Sequence, residues 1–150
     1  MNEKKINWFL LLKLPSAWLC GVRAKKINEN YCKVAVRHRW INQNPFKSLY
    51  FAVQNMAAEL STGVLVMQSI NELKLPISML VIESNSKFYK KATGLIYFEC
   101  HDGELAKRTI QKSIKENEGQ EVDMKVKAFN EDKDLVSEFS FKWSVKPKSR

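Results

Sequence analysis

The stretch NPFKSLYFAVQNMAAELSTG, residues 44–63, holds the side chains best suited to chemistry. Asn55 and Glu59 lie four residues apart in it, which is one turn of a helix. Because most of their neighbours are apolar, the charged form of Glu59 is disfavoured and its pKa is expected to rise toward the range of a general base. The question is whether this carboxylate serves chemistry or the fold.

A structural role for the same two residues stays open. A buried carboxylate can be paired with a lysine or arginine, or bound to a dimer mate, and Asn55 can form a hydrogen bond that packs the helix. The choice between chemistry and packing depends on where the surrounding helix lies in the fold.

The spacing of apolar residues predicts one long helix from 47 to 67. Its apolar positions recur at helical spacing and form one stripe, made of Leu49, Ala52, Val53, Met56, Leu60, Val64 and Met67. Further apolar residues beside this stripe leave little polar surface for water. A helix that is apolar nearly all round is a buried helix, which places Glu59 near the centre of the fold.

The remaining pattern is mostly that of antiparallel strands. Strands are predicted at 31–40, 77–92, 94–103, 121–128 and 135–146, where apolar residues alternate with polar ones or cluster between turn residues. A charged surface helix, 104–119, follows Asp102-Gly103. Strands with one apolar face need a cover, and only the 47–67 helix is apolar enough. The predicted fold class is therefore α+β, a curved antiparallel sheet wrapped around a long central helix.

The N-terminal stretch MNEKKINWFLLLKLPSAWLCG has an apolar run that Lys13 and Pro15 interrupt. The run is too short for a membrane span, and no membrane partner is expected. Residues 5–20 are predicted to form one or two short amphipathic helices that cover part of the core with Trp8, Leu11, Leu12 and Trp18. A single domain is predicted over 1–150, with a helical extension at 1–25 and the core at 30–146.

Charge and cysteine content narrow the function classes. The net charge is +9, from 25 lysines and arginines against 16 acids, so a polyanion such as RNA or DNA is one possible partner. The three cysteines are odd in number and widely spaced, which predicts no metal site and favours reduced thiols in the cytoplasm. No P-loop, GxGxxG, HExxH or EF-hand pattern occurs, so nucleotide hydrolysis and classical metal chemistry have no support.

Two motifs resemble a known family. NQNPFKSLYFAVQNMAAEL (42–60) and SKFYKKATGLIYFECHDGEL (86–105) are similar to segments of the hotdog-fold acyl-CoA thioesterase superfamily. The pattern is most similar to that of an uncharacterised bacterial thioesterase-like family, over roughly residues 30–146. The resemblance implies a hotdog fold, a homodimer or dimer of dimers, and hydrolysis of an acyl-CoA or acyl-carrier-protein thioester.

The resemblance also implies roles for individual residues. Glu59 takes the place of the catalytic carboxylate on the central helix, at a dimer interface, with Asn55 and Asn44 assisting. Amides near Ser48 would stabilise the oxyanion, and Ser48 could instead cap the helix. Relatives commonly carry His-Gly-Gly at the start of this helix, whereas this chain has Lys47-Ser48-Leu49, which puts the oxyanion hole in question.

Coenzyme A is expected only as part of the substrate, with no separate cofactor. The predicted phosphate and adenine contacts are Lys87, Lys90, Lys91, Arg37 and Arg39. The predicted acyl tunnel is lined by Phe51, Met56, Leu60 and Met67. Two alternatives stay open: a hotdog protein that binds acyl-CoA without turnover, and a basic nucleic-acid-binding module, which the resemblance disfavours.

Overall fold

The computed structural model describes residues 1–148 and contains four α-helices and six strands within that range. The helices are α1 (Glu3–Lys13), α2 (Pro15–Leu19), α3 (Phe51–Leu73) and α4 (Gly103–Glu116). The strands are β1 (Arg23–Ile27), β2 (Cys32–Arg37), β3 (Ile77–Phe88), β4 (Leu95–Cys100), β5 (Gln120–Phe129) and β6 (Leu135–Pro147). A short 3-10 turn, Trp40–Asn42, follows β2.

The six strands form one antiparallel sheet in the order β1-β2-β4-β5-β6-β3. Helix α3 packs against this sheet, and its side chains share one core with both sheet and surface helices. The predicted α+β architecture, a sheet wrapped around a long central helix, is confirmed. The alternation that predicted β5 is confirmed as well, because Val122, Met124, Val126 and Ala128 are all buried.

The two edges of the sheet differ. At the β1 edge, Asn7 of α1 exchanges two hydrogen bonds with the backbone of Ala24, at 3.1 and 2.9 Å. Glu3 accepts a further bond from the amide of Ile27 at 2.9 Å. At the other edge, β3 pairs with β6 alone among the described elements. Side chains of α1 thus cap one edge, while β3 presents a free backbone edge of twelve residues.

The central helix begins and ends later than predicted, at 51 and 73 rather than 47 and 67. Residues before it are held in a turn: Lys47 has φ 58° and Tyr50 is extended at φ −60°, ψ 135°. Neither conformation continues a helix. At the far end Lys74 adopts the left-handed conformation that terminates helices.

Several expectations for the first forty residues were wrong. Ile6 and Leu10 of α1 face the core, whereas Trp8 and Leu12 are 64% and 69% exposed. Strand β1 was not predicted, because RAKKI is mostly charged and a register shift at Ala24/Lys26 breaks its alternation. The strand predicted at 31–40 ends at Arg37.

Within residues 1–148, no helix is long and apolar enough to cross a membrane. The same residues contain no group of three or more His, Cys, Asp or Glu side chains that could hold a metal ion.

Candidate active site

Glu59 lies in the third turn of α3 and is half-buried. Across residues 1–148 its carboxylate forms no ion pair, so the pairing with lysine or arginine that a structural role would have used is not present. Burial alone raises the pKa of Glu59 above its ordinary value. The residue therefore has the environment that brings a carboxylate toward the working range of a general base.

A glycine lies between this carboxylate and the ring of Trp143. A Cβ atom at Gly63 would lie 3.4 Å from Glu59 Oε1 and 3.3 Å from the ring of Trp143. The Trp143 ring is fixed because its Nε1 donates to Thr62 Oγ1 at 2.9 Å, and Thr62 in turn donates to the backbone oxygen of Glu59 at 2.8 Å. Gly63, Thr62 and Trp143 thus surround Glu59, and none of them was predicted to do so.

The Asn55 side chain is engaged in hydrogen bonds that pack the helix. Its Nδ2 donates to the backbone oxygen of Phe51 at 3.0 Å, and its Oδ1 accepts from Ser86 Oγ at 2.9 Å. Since Ser86 lies on β3, this pair ties the central helix to the free-edged strand.

A cleft of about 530 Å³ opens at the N-terminal end of α3. Residues 44–54 form one wall of the cleft and residues 88–92 form the other. The two walls are joined by a hydrogen bond in which the Leu49 amide donates to the Ala92 carbonyl at 2.8 Å. Its floor is buried and its rim is aromatic and basic. The lining residues are Asn44, Pro45, Phe46, Ser48, Leu49, Tyr50, Phe51, Gln54, Phe88, Tyr89, Lys90, Lys91 and Ala92.

Asn44 and Ser48 both line the cleft, but they mainly hold its wall together. Asn44 Nδ2 donates to Ser48 Oγ at 2.9 Å, and Asn44 Oδ1 accepts from the amides of Phe46 and Ser48 at 2.9 and 3.2 Å. The suggestion that Ser48 caps the central helix is wrong, because α3 starts at Phe51 and has no side-chain cap.

The N-terminus of α3 brings partial positive charge and unpaired amides to the cleft. Amides in the first turn of a helix have no intrahelical acceptor, and they carry its partial positive charge. With no side chain capping α3, the amide of Phe51 is available beside the cleft. Lys47, just before this helix start, adopts a left-handed φ of 58°, a conformation that glycine accepts with the least strain.

The five residues predicted to bind coenzyme A do not form one patch. Lys90 and Lys91 line the cleft, with Lys90 Nζ 2.8 Å from Asp134 and Lys91 Nζ 3.4 Å from the Phe46 carbonyl.

The other three predicted residues lie outside the cleft. Lys87 is excluded because neighbouring strand residues point to opposite faces and Phe88 takes the cleft side. Arg37 is the last residue of β2 and Arg39 follows the strand; both are exposed and neither lines the cleft, and Arg37 is 3.9 Å from Glu131. The five residues therefore do not line one cleft together, and Lys87 instead shares a groove with Lys125 and Lys127.

The predicted tunnel residues are also divided. Phe51 lines the cleft and is 54% exposed, but Leu60 is a core residue at 3% exposure. Met56 and Met67 pack against the core, outside the cleft. Of these four residues only Phe51 lines the cleft, so the cleft and the predicted tunnel do not coincide within one protomer, and the tunnel stays a prediction.

Gln54 is the cleft residue that sequence reasoning missed. It is 4% exposed, its Nε2 donates to the Leu49 carbonyl at 3.3 Å and its Oε1 accepts from Ser137 Oγ at 2.9 Å. A polar residue in an otherwise apolar helix was the available signal, but Asn55 and Glu59 give the same signal in the same helix.

Comparison with solved structures identifies the fold. A protein of unknown function from Pseudomonas aeruginosa, described as a probable thioesterase, aligns with TM-score 0.81 at 20% identity, covering 97% of this chain and 96% of that one. A protein of unknown function from Chlorobaculum tepidum gives 0.83 at 16% identity, covering 97% and 94%. A thioesterase from Haemophilus influenzae gives 0.70 at 11% identity, covering 98% and 92%.

These matches extend over nearly the whole chain, and the hotdog fold is confirmed. No curated protein matches the sequence. The family described as Domain of unknown function (DUF4442) matches residues 2–145. With this match running from α1 into β6, the chain belongs to that family.

Proposed function

We propose that the protein hydrolyses an acyl-CoA or acyl-carrier-protein thioester. The observation that carries the proposal is the carboxylate of Glu59, half-buried on the central helix with no ion-pair partner in residues 1–148. Burying an unpaired charge costs stability, and groups with such perturbed pKa values concentrate at functional sites. The thioesterase descriptions of two structural relatives agree with this reading.

The chemistry needs one base and one oxyanion site. Glu59 takes a proton from water, which attacks the thioester carbonyl, or Glu59 attacks the carbonyl itself and water releases the acyl group later. In both routes the carbon–sulfur bond breaks, the sulfur leaves as a thiolate that takes up a proton, and the other product is the free acid. The amide of Phe51 donates to the developing oxyanion, without reorganisation, from the positive end of α3.

One protomer alone does not bring these two groups to the same carbonyl. Glu59 and Phe51 are eight residues apart on one helix, which separates their backbones by about 12 Å. We therefore infer that Glu59 of one protomer faces the cleft of a second. The free edge of β3, with Leu80 64% and Ile82 45% exposed beside it, is the surface that supports such a dimer.

The cleft suits the part of the substrate that carries the thioester. Its buried floor of Leu49, Gln54 and Ala92 would take the acyl group or the pantetheine arm, and its aromatic rim would cover it. Lys91, at the rim, is placed for a phosphate. Coenzyme A thus enters as substrate and no separate cofactor is invoked. The three free cysteines accord with a reducing compartment, and we place the protein in the cytoplasm.

A binding protein without turnover is the second candidate, and one observation favours it. The Asn44 and Ser48 side chains are engaged with each other and with their own loop, so they offer little to a substrate.

Hydrolysis of a panel of acyl-CoAs decides between the candidates. The panel covers short, long and aromatic acyl groups, and release of free thiol is followed. We expect turnover of at least one class by the wild-type protein and none by Glu59→Ala, with Glu72→Ala as the matched surface control on the same helix. A folded protein that binds the acyl-CoAs but releases no thiol from any of them would favour the binding candidate.

A further inference from the structure

Helix α1 is apolar on both sides, although only one side meets the core. Ile6 and Leu10 are 1% and 0% exposed. On the opposite side, Trp8 and Leu12 are one turn apart and each exposes more than half of its surface. An exposed Trp–Leu pair on a helix that already buries another apolar stripe is unusual for a surface that meets only water.

Two lysines flank this exposed pair. Lys4 precedes Trp8 by one turn and Lys5 precedes Leu12 by about two, so both lie on the solvent side of the helix, and both are exposed. Residues 1–27 contain six cations and one acid, which is +5 of the chain's net +9. The single acid, Glu3, has one carboxylate oxygen engaged with the amide of Ile27. Glu72 of α3 lines a pocket with Lys5 but lies 3.3 Å from Lys107, which neutralises it. The face is therefore apolar and carries an excess of positive charge.

The face is fixed in place before any partner arrives. Asn2 caps α1 by accepting from the Lys5 amide at 3.0 Å, and Asn7 holds the helix to β1 through two hydrogen bonds with Ala24. Since β1 and β3 are opposite edges of the sheet, pairing of two protomers at β3 would leave α1 uncovered.

We propose that the outer face of α1, made of Lys4, Lys5, Trp8 and Leu12, binds the surface of an anionic lipid bilayer. Interfacial helices combine tryptophan and leucine, which enter the headgroup boundary, with lysines that attract anionic lipids. Charge decides against a second copy on this face, because two such faces would bring like charges together. The inference does not depend on the proposed thioester chemistry.

Co-sedimentation of the full chain with vesicles tests the proposal. The protein binds vesicles made of equal parts phosphatidylglycerol and phosphatidylcholine, binds pure phosphatidylcholine far less, and is released as salt rises. Trp8→Ser/Leu12→Ser lowers the partition coefficient by about tenfold or more. Lys4→Glu/Lys5→Glu gives a similar loss while leaving the apolar pair intact. Trp40→Ser/Ile41→Ser is the matched control, since Trp40 and Ile41 are also exposed, at 83% and 53%.

Three results would overturn the proposal. The first is no binding to the anionic vesicles at low salt by the folded wild-type protein. The second is loss from Trp40→Ser/Ile41→Ser equal to the loss from Trp8→Ser/Leu12→Ser. The third is a change of oligomeric state in Trp8→Ser/Leu12→Ser, seen by light scattering, with vesicle binding unchanged; a second copy would then cover the face.

Discussion

Replacing Glu59 with glutamine lowers kcat for the best acyl-CoA substrate by about a hundredfold to ten-thousandfold, the usual contribution of a positioned acid–base group. Glutamine keeps the size and shape of the side chain over Gly63 but can neither accept a proton from water nor form an acyl intermediate. The measurement is steady-state thiol release at saturating substrate. Glu72→Gln is the control, because Glu72 lies on the same helix, exposed and 3.3 Å from Lys107.

The same substitution raises stability at neutral pH. Burial raises the pKa of Glu59 in the folded protein above its ordinary value of 4.5, so the unfolded chain ionises first as pH increases. Between the two pKa values the folded state binds more protons, and the free energy of unfolding therefore falls with rising pH. Glu59→Gln removes that loss, so its free energy of unfolding exceeds that of the wild type at neutral pH and the difference shrinks below pH 4.5.

Urea denaturation at neutral pH and below pH 4.5 measures the difference in the free energy of unfolding between Glu59→Gln and the wild type. Glu72→Gln is again the control. A Glu59→Gln variant that keeps wild-type turnover, or that is less stable than the wild type at neutral pH, would show that Glu59 serves the fold instead of the chemistry.

Leu80→Lys separates the protomers and abolishes turnover with them. Leu80 is 64% exposed on β3, the strand whose outer edge is free among the described elements. Pairing of two β3 strands places two copies of the new charge in one interface, and juxtaposed like charges cost several kcal/mol, so the dimer Kd rises by about a hundredfold or more. Light scattering over a dilution series gives the Kd, and thiol release at the same concentrations gives the activity.

Leu105→Lys controls for the added charge, since Leu105 is 43% exposed on α4, away from β3. A wild-type protein that is monomeric at all concentrations would contradict the shared site. So would a Leu80→Lys monomer that retains full turnover.

Pattern and packing explain which parts of the fold the sequence could predict. Helix α3 was predictable because its apolar residues surround it, and β5 because one face alternates without a break. Strand β1 was not predictable, because an edge strand capped by α1 needs little apolar surface of its own, and the segment RAKKI contains few apolar residues. The outward Trp8 and Leu12 were assigned to the core because periodicity does not tell which of two apolar stripes faces inward.

The candidate site likewise has one part that the sequence could predict and one part that it could not. Glu59 could be found because a carboxylate in an apolar helix is conspicuous in the sequence. The cleft could not, because it exists only where Leu49 meets Ala92, forty-three residues later. Lys87 and Lys91 look equivalent in SKFYKKATG, yet strand pleating and the end of β3 send only Lys91 to the cleft.

Mixing two inactive variants tests most directly whether one thioester site is shared by two protomers. The partner of Glu59→Gln is Phe51→Pro, which deletes the proposed oxyanion donor. Proline is accepted at the first position of a helix, and Tyr50, at φ −60° and ψ 135°, has the conformation that a residue before proline prefers. Phe51→Ala, which keeps the amide, controls for loss of the ring. Each homodimer is expected to lose about a hundredfold or more in kcat.

Equal mixing followed by subunit exchange gives about half mixed dimers, each with one intact site, so about one quarter of wild-type turnover returns. Mass spectrometry of the same sample shows that mixed dimers have formed. If they have formed and no turnover returns, each protomer contains its whole site, and the shared thioester site is contradicted.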